Sequence, residues 1–236
     1  KPRVIVLNKA DLADEAATRA WVNCFATQGI TAVPVDAVKG RGVKELVQAI
    51  AKCAKPKTDK LVQHGAKARA ARCMILGIPN VGKSSLINRL SGGSKTKVEN
   101  RPGVTRAKQW IRIGAQLELL DMPGILWPKF EDRQAALHLA FTGAINDNVY
   151  DVASVVLLLL DTLRMRYPSD LMERYRLEKE LPSGMELLEE IGRKRGCLRA
   201  GGKVDYEKAE QIVLTDFRSG RLGRVTLDDF PPIPTI

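Results

Sequence analysis

The 236 residues, 44% hydrophobic and 28% charged, suffice for one domain of about 150 residues and a smaller second one with ordinary buried cores. The longest apolar run, 152–160, is about half of what a bilayer demands, and four scattered cysteines (Cys24, Cys53, Cys73, Cys197) lack C-x-x-C spacing or His neighbours; this excludes a membrane span, a disulfide framework and a zinc site, and fits a reducing cytosol. The formal charge of +11 sits in the first half, where residues 1–150 hold 24 Lys and Arg against 12 Asp and Glu, while 151–236 hold 14 against 15. Two basic clusters stand out, one near 52–72 and one near 95–112; either is a solvated face or a surface for a polyanion, and RNA is the favoured polyanion because no amphipathic membrane helix is evident.

In chain order, Arg3-Val4-Ile5-Val6-Leu7 is a continuous apolar run of the kind that forms a fully buried parallel strand, and it ends in Asn8-Lys9-Ala10-Asp11. At the C-terminal edge of a parallel sheet the Asp11 carboxylate can accept the guanine N1–H and amino group together, which adenine cannot offer. Asn8 would orient the loop and Lys9 would pack across the base. A helix over about 13–28 with Trp21, Cys24 and Phe25 on its apolar stripe leads to a strand over 31–35, after which Asp36 and Ala37 stand where the Ala37 N–H could bond the guanine carbonyl. Val43, Leu46, Val47 and Ile50 mark a second helix that Pro56 closes, and the Lys- and Arg-rich stretch 55–72 reads as a linker containing a solvated His64.

An apolar strand then feeds Gly77-Ile78-Pro79-Asn80-Val81-Gly82-Lys83-Ser84-Ser85, a phosphate-binding loop. Backbone N–H groups from Asn80 through Ser85 at a helix N-terminus suit a triphosphate; Lys83 would reach the β- and γ-phosphates and Ser84 would ligate Mg²⁺. Thr105, in a Gly-, Ser- and Lys-rich segment, is the natural second hydroxyl for Mg²⁺. A hairpin over 110–120 delivers Asp121-Met122-Pro123-Gly124, where Asp121 would hold Mg²⁺ through water and the Gly124 N–H would sense the γ-phosphate. Lys83, Thr105 and Gly124 are therefore the expected catalytic positions.

A helix over 132–144 carries His138, packed or solvated, and from Val149 the pattern is all helical. A long apolar helix runs to Arg166, Ser183-Gly184-Met185-Glu186 reads as a capping box, and Asp205 caps a last helix. Between these last two helices Arg193, Lys194, Arg195, Arg199 and Lys203 form a basic, glycine-containing loop suited to RNA phosphates, or else a solvated connection.

The guanine-reading motif precedes the phosphate loop, the reverse of the order in small GTPases, as a circular permutation through the linker would produce. In NKADL, GIPNVGKSSLINRL, RPGVT, DMPGILWPKFED and GCLRAGG the chain resembles the circularly permuted GTPases, and closely the ribosome biogenesis GTPase A family (also called YlqF), from Arg3 to about Leu227. The resemblance implies an α/β fold: a circularly permuted P-loop GTPase domain with a doubly wound, mostly parallel sheet over 1–148, then a small all-α RNA-binding domain over 149–230 and a tail over 231–236. It also implies a cytoplasmic GTPase that binds GTP/GDP and Mg²⁺ and acts in late assembly of the large ribosomal subunit, touching ribosomal RNA with both domains. A central strand, a helix and a histidine implicated in hydrolysis lie in the family before the position of Arg3, and neither His64 nor His138 matches that histidine, so N-terminal truncation is expected. Ile125 stands where many GTPases carry a water-orienting Gln. Asn80, similar to asparagines of cation-dependent GTPases, would then ligate K⁺, and turnover is expected to be weak alone and stimulated by large-subunit particles; the rival is a GTP-gated RNA-binding module with negligible hydrolysis.

Overall fold

The structure, a computed structural model, describes residues 2–63, 70–92, 109–113, 117–121, 132–178 and 180–229, with backbone alone at 57, 58, 60–63, 109 and 121. It divides into two compact units, Lys1–Trp127 with Asp228–Ile236, and Pro128–Leu227.

In the first unit the β-branched run Val4–Asn8 forms β1, and Thr31–Val35 forms β2, parallel to it with Asn8 opposite Val35. Helix α1, Glu15–Thr27, connects them; it starts where the Asp14 carboxylate accepts the Ala17 N–H at 2.7 Å, satisfying one of the donors that a helix start leaves over. Helix α2, Val43–Gln63, runs through Pro56 rather than ending there, so the front of the expected linker is helical. Burial of Leu46 and partial burial of Val43, Val47 and Ile50 hold the apolar stripe of α2 in place, and this outweighs the missing proline N–H.

Next come β3 (Ala71–Met74), α3 (Lys83–Leu90), β4 (Gln109–Ile113) and β5 (Leu117–Asp121). β5 lies between β3, its parallel neighbour, and β4, its antiparallel one. Two of the three ladders are parallel, but among the described residues β1-β2 and β3-β5-β4 are separate sheets rather than one. Their cores meet under shared cover: Val33, Val35, Leu46 and Leu86 form one cluster, Ile87, Ile111, Ile113, Leu117 and Leu119 another, and Ile50, Ile75 and Leu90 pack against both. β1, paired on one side only among the described residues, is half-buried at every position instead of fully buried.

The second unit contains α4 (Arg133–Phe141), a 3-10 turn (Asp147–Val149), α5 (Val152–Arg166), α6 (Pro168–Tyr175), α7 (Gly184–Lys194) and α8 (Tyr206–Arg218). Val155, Val156, Leu159, Leu160 and Leu163 of α5 are buried together with Leu187, Leu188 and Ile191 of α7 and Ala209, Val213 and Leu214 of α8. Ala140 and Phe141 belong to the same core, so α4 goes with the later helices, ahead of the boundary at 148 read from the sequence. Pro168 does more than stop α5: it occupies the first turn of α6, where a missing N–H costs nothing. The Ser183 side chain makes no cap bond at α7, whereas Asp151 and Asp205 cap α5 and α8. Among the described residues no helix is long and apolar enough to cross a membrane.

Candidate nucleotide-binding site

Three segments distant in sequence meet through one amide. Asn8, at the C-terminal end of β1, donates from Nδ2 to the Val81 carbonyl at 2.8 Å, while its Oδ1 accepts the Ala37 N–H at 3.3 Å. The residue expected to orient the base-reading loop thus ties it both to the phosphate loop and to the loop after β2. Parallel pairing of β1 with β2 is what makes this possible, since it brings Asn8 and Val35 to the same sheet edge.

The phosphate loop has the backbone that such a site requires. Gly82, the N-cap of α3, has φ +90, and a Cβ there would lie 2.3 Å from Asn8 Nδ2; handedness and space both demand glycine. Asn80, at φ 57, is left-handed as well, a conformation that asparagine tolerates better than most residues. Lys83 Nζ donates to the carbonyls of Gly77 at 2.9 Å and Ile78 at 2.7 Å, so its charge is drawn over the mouth of the loop. Ser84 and Ser85 follow in the first turn of α3, where N–H groups and the helix dipole favour an anion. β3 and β5 are parallel, and the Ile75 N–H donates to the Leu120 carbonyl at 3.2 Å, so Asp121 leaves the sheet at the same end as the phosphate loop. Thr105 and Gly124 lie outside the described residues, as do Ile125 and His64.

Beyond β1, Lys9 is left-handed at φ 58, the Ala10 N–H donates to Val35 O at 3.1 Å, and Asp11 is half-buried in the turn that follows. Asp36 is 3% exposed, and its Oδ1 accepts from the N–H groups of Val38 at 3.0 Å and Lys39 at 2.8 Å. It shapes the loop that presents Ala37. Its Oδ2 faces the Arg41 Nε at 3.9 Å, an ion pair beyond hydrogen-bond range. On the far side of this loop Arg89, which lies in the GIPNVGKSSLINRL stretch but to which the sequence assigned no role, donates from Nε to Ala37 O at 3.2 Å and from Nη2 to Val38 O.

The donor set fits a Mg–nucleotide. Gly82 leaves room for the Asn8 amide, which bonds the Val81 carbonyl, and the Lys83 ammonium is held at the loop by the carbonyls of Gly77 and Ile78, so a positive charge stands beside the N-terminus of α3. Among the described residues no three His, Cys, Asp or Glu side chains gather as for a protein-only metal cage, and Mg²⁺ does not call for one, because it keeps waters and phosphate oxygens as ligands.

The basic loop of the second unit is less uniform than its sequence. Arg193 pairs with Glu189 at 2.6 Å, and Arg199 with Asp205 at 3.1 Å and Glu207 at 3.6 Å, all on the surface. Lys194 and Lys203 are exposed. Arg195 faces inward, 5.3 Å from the centre of the Tyr175 ring and 3.5 Å from Asp216, a carboxylate 1% exposed that also binds Arg174 at 2.9 Å and Arg221 at 3.2 Å. Burial alone would raise the Asp216 carboxyl, but hydrogen bonds from Arg174 and Arg221 and the charges of Arg174 and Arg195 outweigh it and hold the group below the usual carboxylate range. His138 lies against Phe141, with ring centres 6.2 Å apart, and lines a surface cavity of about 280 Å³.

A family model described as 50S ribosome-binding GTPase matches residues 72–190. Ribosome biogenesis GTPase A from Bacillus cereus is 46% identical over 228 residues, covering 97% of this chain and 77% of the relative; that from Thermotoga maritima is 30% identical over 238 residues, covering 99% and 79%. The crystal structure of GNP-bound YlqF from T. maritima superposes with a TM-score of 0.64 at 28% identity, covering 95% of this chain and 80% of that one. With the phosphate-loop geometry and this agreement over nearly its whole length, the chain belongs to the ribosome biogenesis GTPase A family of GTP-binding proteins.

Proposed function

We propose that this protein binds and hydrolyses GTP as an assembly factor for the large ribosomal subunit, working in the cytoplasm and contacting ribosomal RNA. The observation that carries the nucleotide reading is the Asn8 bridge, because one side chain joins the N-K-x-D turn to a phosphate loop 73 residues away. In this reading Asp11 selects guanine, Lys9 covers the base and the Ala37 N–H meets its 6-oxygen. Asn80 to Ser85 and Gly124 cradle the phosphates; Ser84, Thr105 and Asp121 hold Mg²⁺, which would neutralise charge developing on the γ-phosphoryl group. The order of motifs, with N-K-x-D ahead of the phosphate loop, supports a circular permutation of the GTPase domain, and the helices from α4 onward, which share one core, support a separate RNA-binding domain that begins ahead of the 149–230 expected from the sequence.

Ile125 follows Asp121-x-x-Gly124, and an alkyl side chain cannot orient water. We therefore assign slow turnover to the chain alone, stimulation by large-subunit particles, and charge compensation by K⁺ held with the help of Asn80. The same residue favours a second reading, a GTP-gated RNA-binding module whose own hydrolysis is negligible. Measuring GTP turnover with and without large-subunit particles, in K⁺ and in Na⁺, separates the two: stimulation of about tenfold or more supports the GTPase, and no stimulation by particles supports the module. Equal rates in the two salts would remove the K⁺ role of Asn80.

A further inference from the structure

Two successive peptide units after β2 are each held at both ends. Their N–H groups, from Val38 and Lys39, donate to Asp36 Oδ1 at 3.0 and 2.8 Å. Their carbonyls, from Ala37 and Val38, accept from Arg89, through Nε at 3.2 Å and through Nη2. Nε and one Nη form a single edge of the planar guanidinium, a fork that fits two neighbouring oxygens, and charge makes these bonds stronger than neutral ones. The loop also closes around the fork: the Gly40 N–H donates to Asp36 O at 2.7 Å, and a Cβ on Gly40, φ +83, would touch Arg89 Nε at 3.5 Å. Arg89 belongs to the last turn of α3, the helix that begins at the phosphate loop.

This clamp leaves the Ala37 N–H directed toward the nucleotide side, where it meets Asn8 Oδ1 at 3.3 Å, a long separation for such a bond and one that a better acceptor can displace. We propose that Arg89 is a specificity-positioning residue, which ties the phosphate-loop helix to loop 36–39 and thereby aims the Ala37 N–H at the 6-oxygen of guanine. The proposal rests on the nucleotide reading given above. The physical basis is discrimination by rigidity: adenine presents an amino donor at that place, and a fixed N–H is repelled by it, whereas an N–H free to swing away would tolerate it. An arginine reaching from the phosphate side supplies the rigidity, and it couples the position of the base loop to that of the helix beneath the phosphates.

The test compares the wild type with Arg89→Met and Arg89→Lys, folding being checked by circular dichroism. Affinities are titrated for GTP, for ATP and for 6-thioguanosine triphosphate, which keeps the N1–H and the amino group that Asp11 reads but carries a weak sulfur acceptor in place of the 6-oxygen. Arg89→Met is expected to lose about tenfold in GTP affinity and less than about twofold for the analogue, a pattern that general loosening would not produce. Arg89→Lys, with a single ammonium in place of the fork, is expected to fall between, and it decides the matter by the same ratio should the methionine variant not fold. An unchanged GTP affinity, or equal losses for GTP and the analogue, would overturn the positioning role while leaving the nucleotide site intact. Wild-type protein that binds ATP as tightly as GTP would instead overturn the base reading itself, and the proposal with it.

Discussion

Asn8 and Gly82 are a matched pair, an amide that bridges two loops and a glycine whose missing Cβ lets the amide pass. Gly82→Ala is expected to weaken nucleotide binding by at least about tenfold, because the new methyl meets Asn8 at a distance no Cβ tolerates and φ +90 adds strain of about 1 kcal/mol. Gly92→Ala is the control, since it is also left-handed, at φ +69, but has nothing within 4 Å among the described residues; similar losses at the two positions would mean that strain alone is at work. Asp11→Asn is expected to lower GTP affinity by roughly 2–4 kcal/mol, with xanthosine triphosphate recovering part of it, as the charged acceptor of two base donors is removed. Direct titration of both nucleotides reads the exchange.

Among the elements, α2 carries an internal contradiction. Its apolar stripe, Leu46 buried and Val43, Val47 and Ile50 partly so, holds its first half in place, yet Pro56 sits inside the helix, where a proline ring crowds the carbonyl four residues back and supplies no N–H. Replacing it with alanine is expected to stabilise the protein by about 1–2 kcal/mol in chemical denaturation, the helix penalty of proline less its stiffening of the unfolded chain. A loss of stability would mean that the helix gains nothing from continuing past this point. The same element shows where sequence reading stops being sufficient: proline is a local breaker, and whether a helix survives it depends on packing further up the helix.

For the whole molecule, acid and salt probe two different sets of charges. Asp216 has a folded pKa below its unfolded value, so its contribution is present above the ordinary carboxylate pKa of about 3.9 and is lost as pH falls through the lower folded value. Asp147, lowered mainly by its hydrogen bond from Arg218, acts with the same sign; Glu210, raised by burial first and then by Asp151 and Glu207, acts with the opposite one. Asp216→Asn is therefore expected to cost about 2 kcal/mol at neutral pH, discounted for the partial exposure of its arginine partners, and the gap from wild type should narrow below about pH 4. A constant gap in urea titrations at pH 7 and pH 3 would assign the effect to packing. The surface charges answer to salt instead. Lys194, Arg199 and Lys203 changed together to Ala should weaken binding to large-subunit particles and flatten its salt dependence, leaving GTP affinity unaltered. Arg195→Ala belongs outside that set, because it would also remove the contacts to Tyr175 and Asp216.

The amino-acid sequence by itself determined the strand-loop-helix of the phosphate site, the turn after β1, the hairpin of β4 and β5 and most helix starts, because spacing, glycine positions and capping residues act within a few residues of one another. Tertiary structure alone decided that Asn8 reaches Val81, that Arg89 grips the loop after β2, that α4 packs with the later helices, and that Arg195 turns inward while Lys194 and Lys203 stay exposed. The polar outcomes depend on which distant carbonyl or carboxylate comes within hydrogen-bond reach, where a donor away from water gains more than it does in water, and the placement of α4 depends on burying Ala140 and Phe141 in the helical core. A row of basic residues looks alike along a chain. Only the fold decides which of them a buried carboxylate claims.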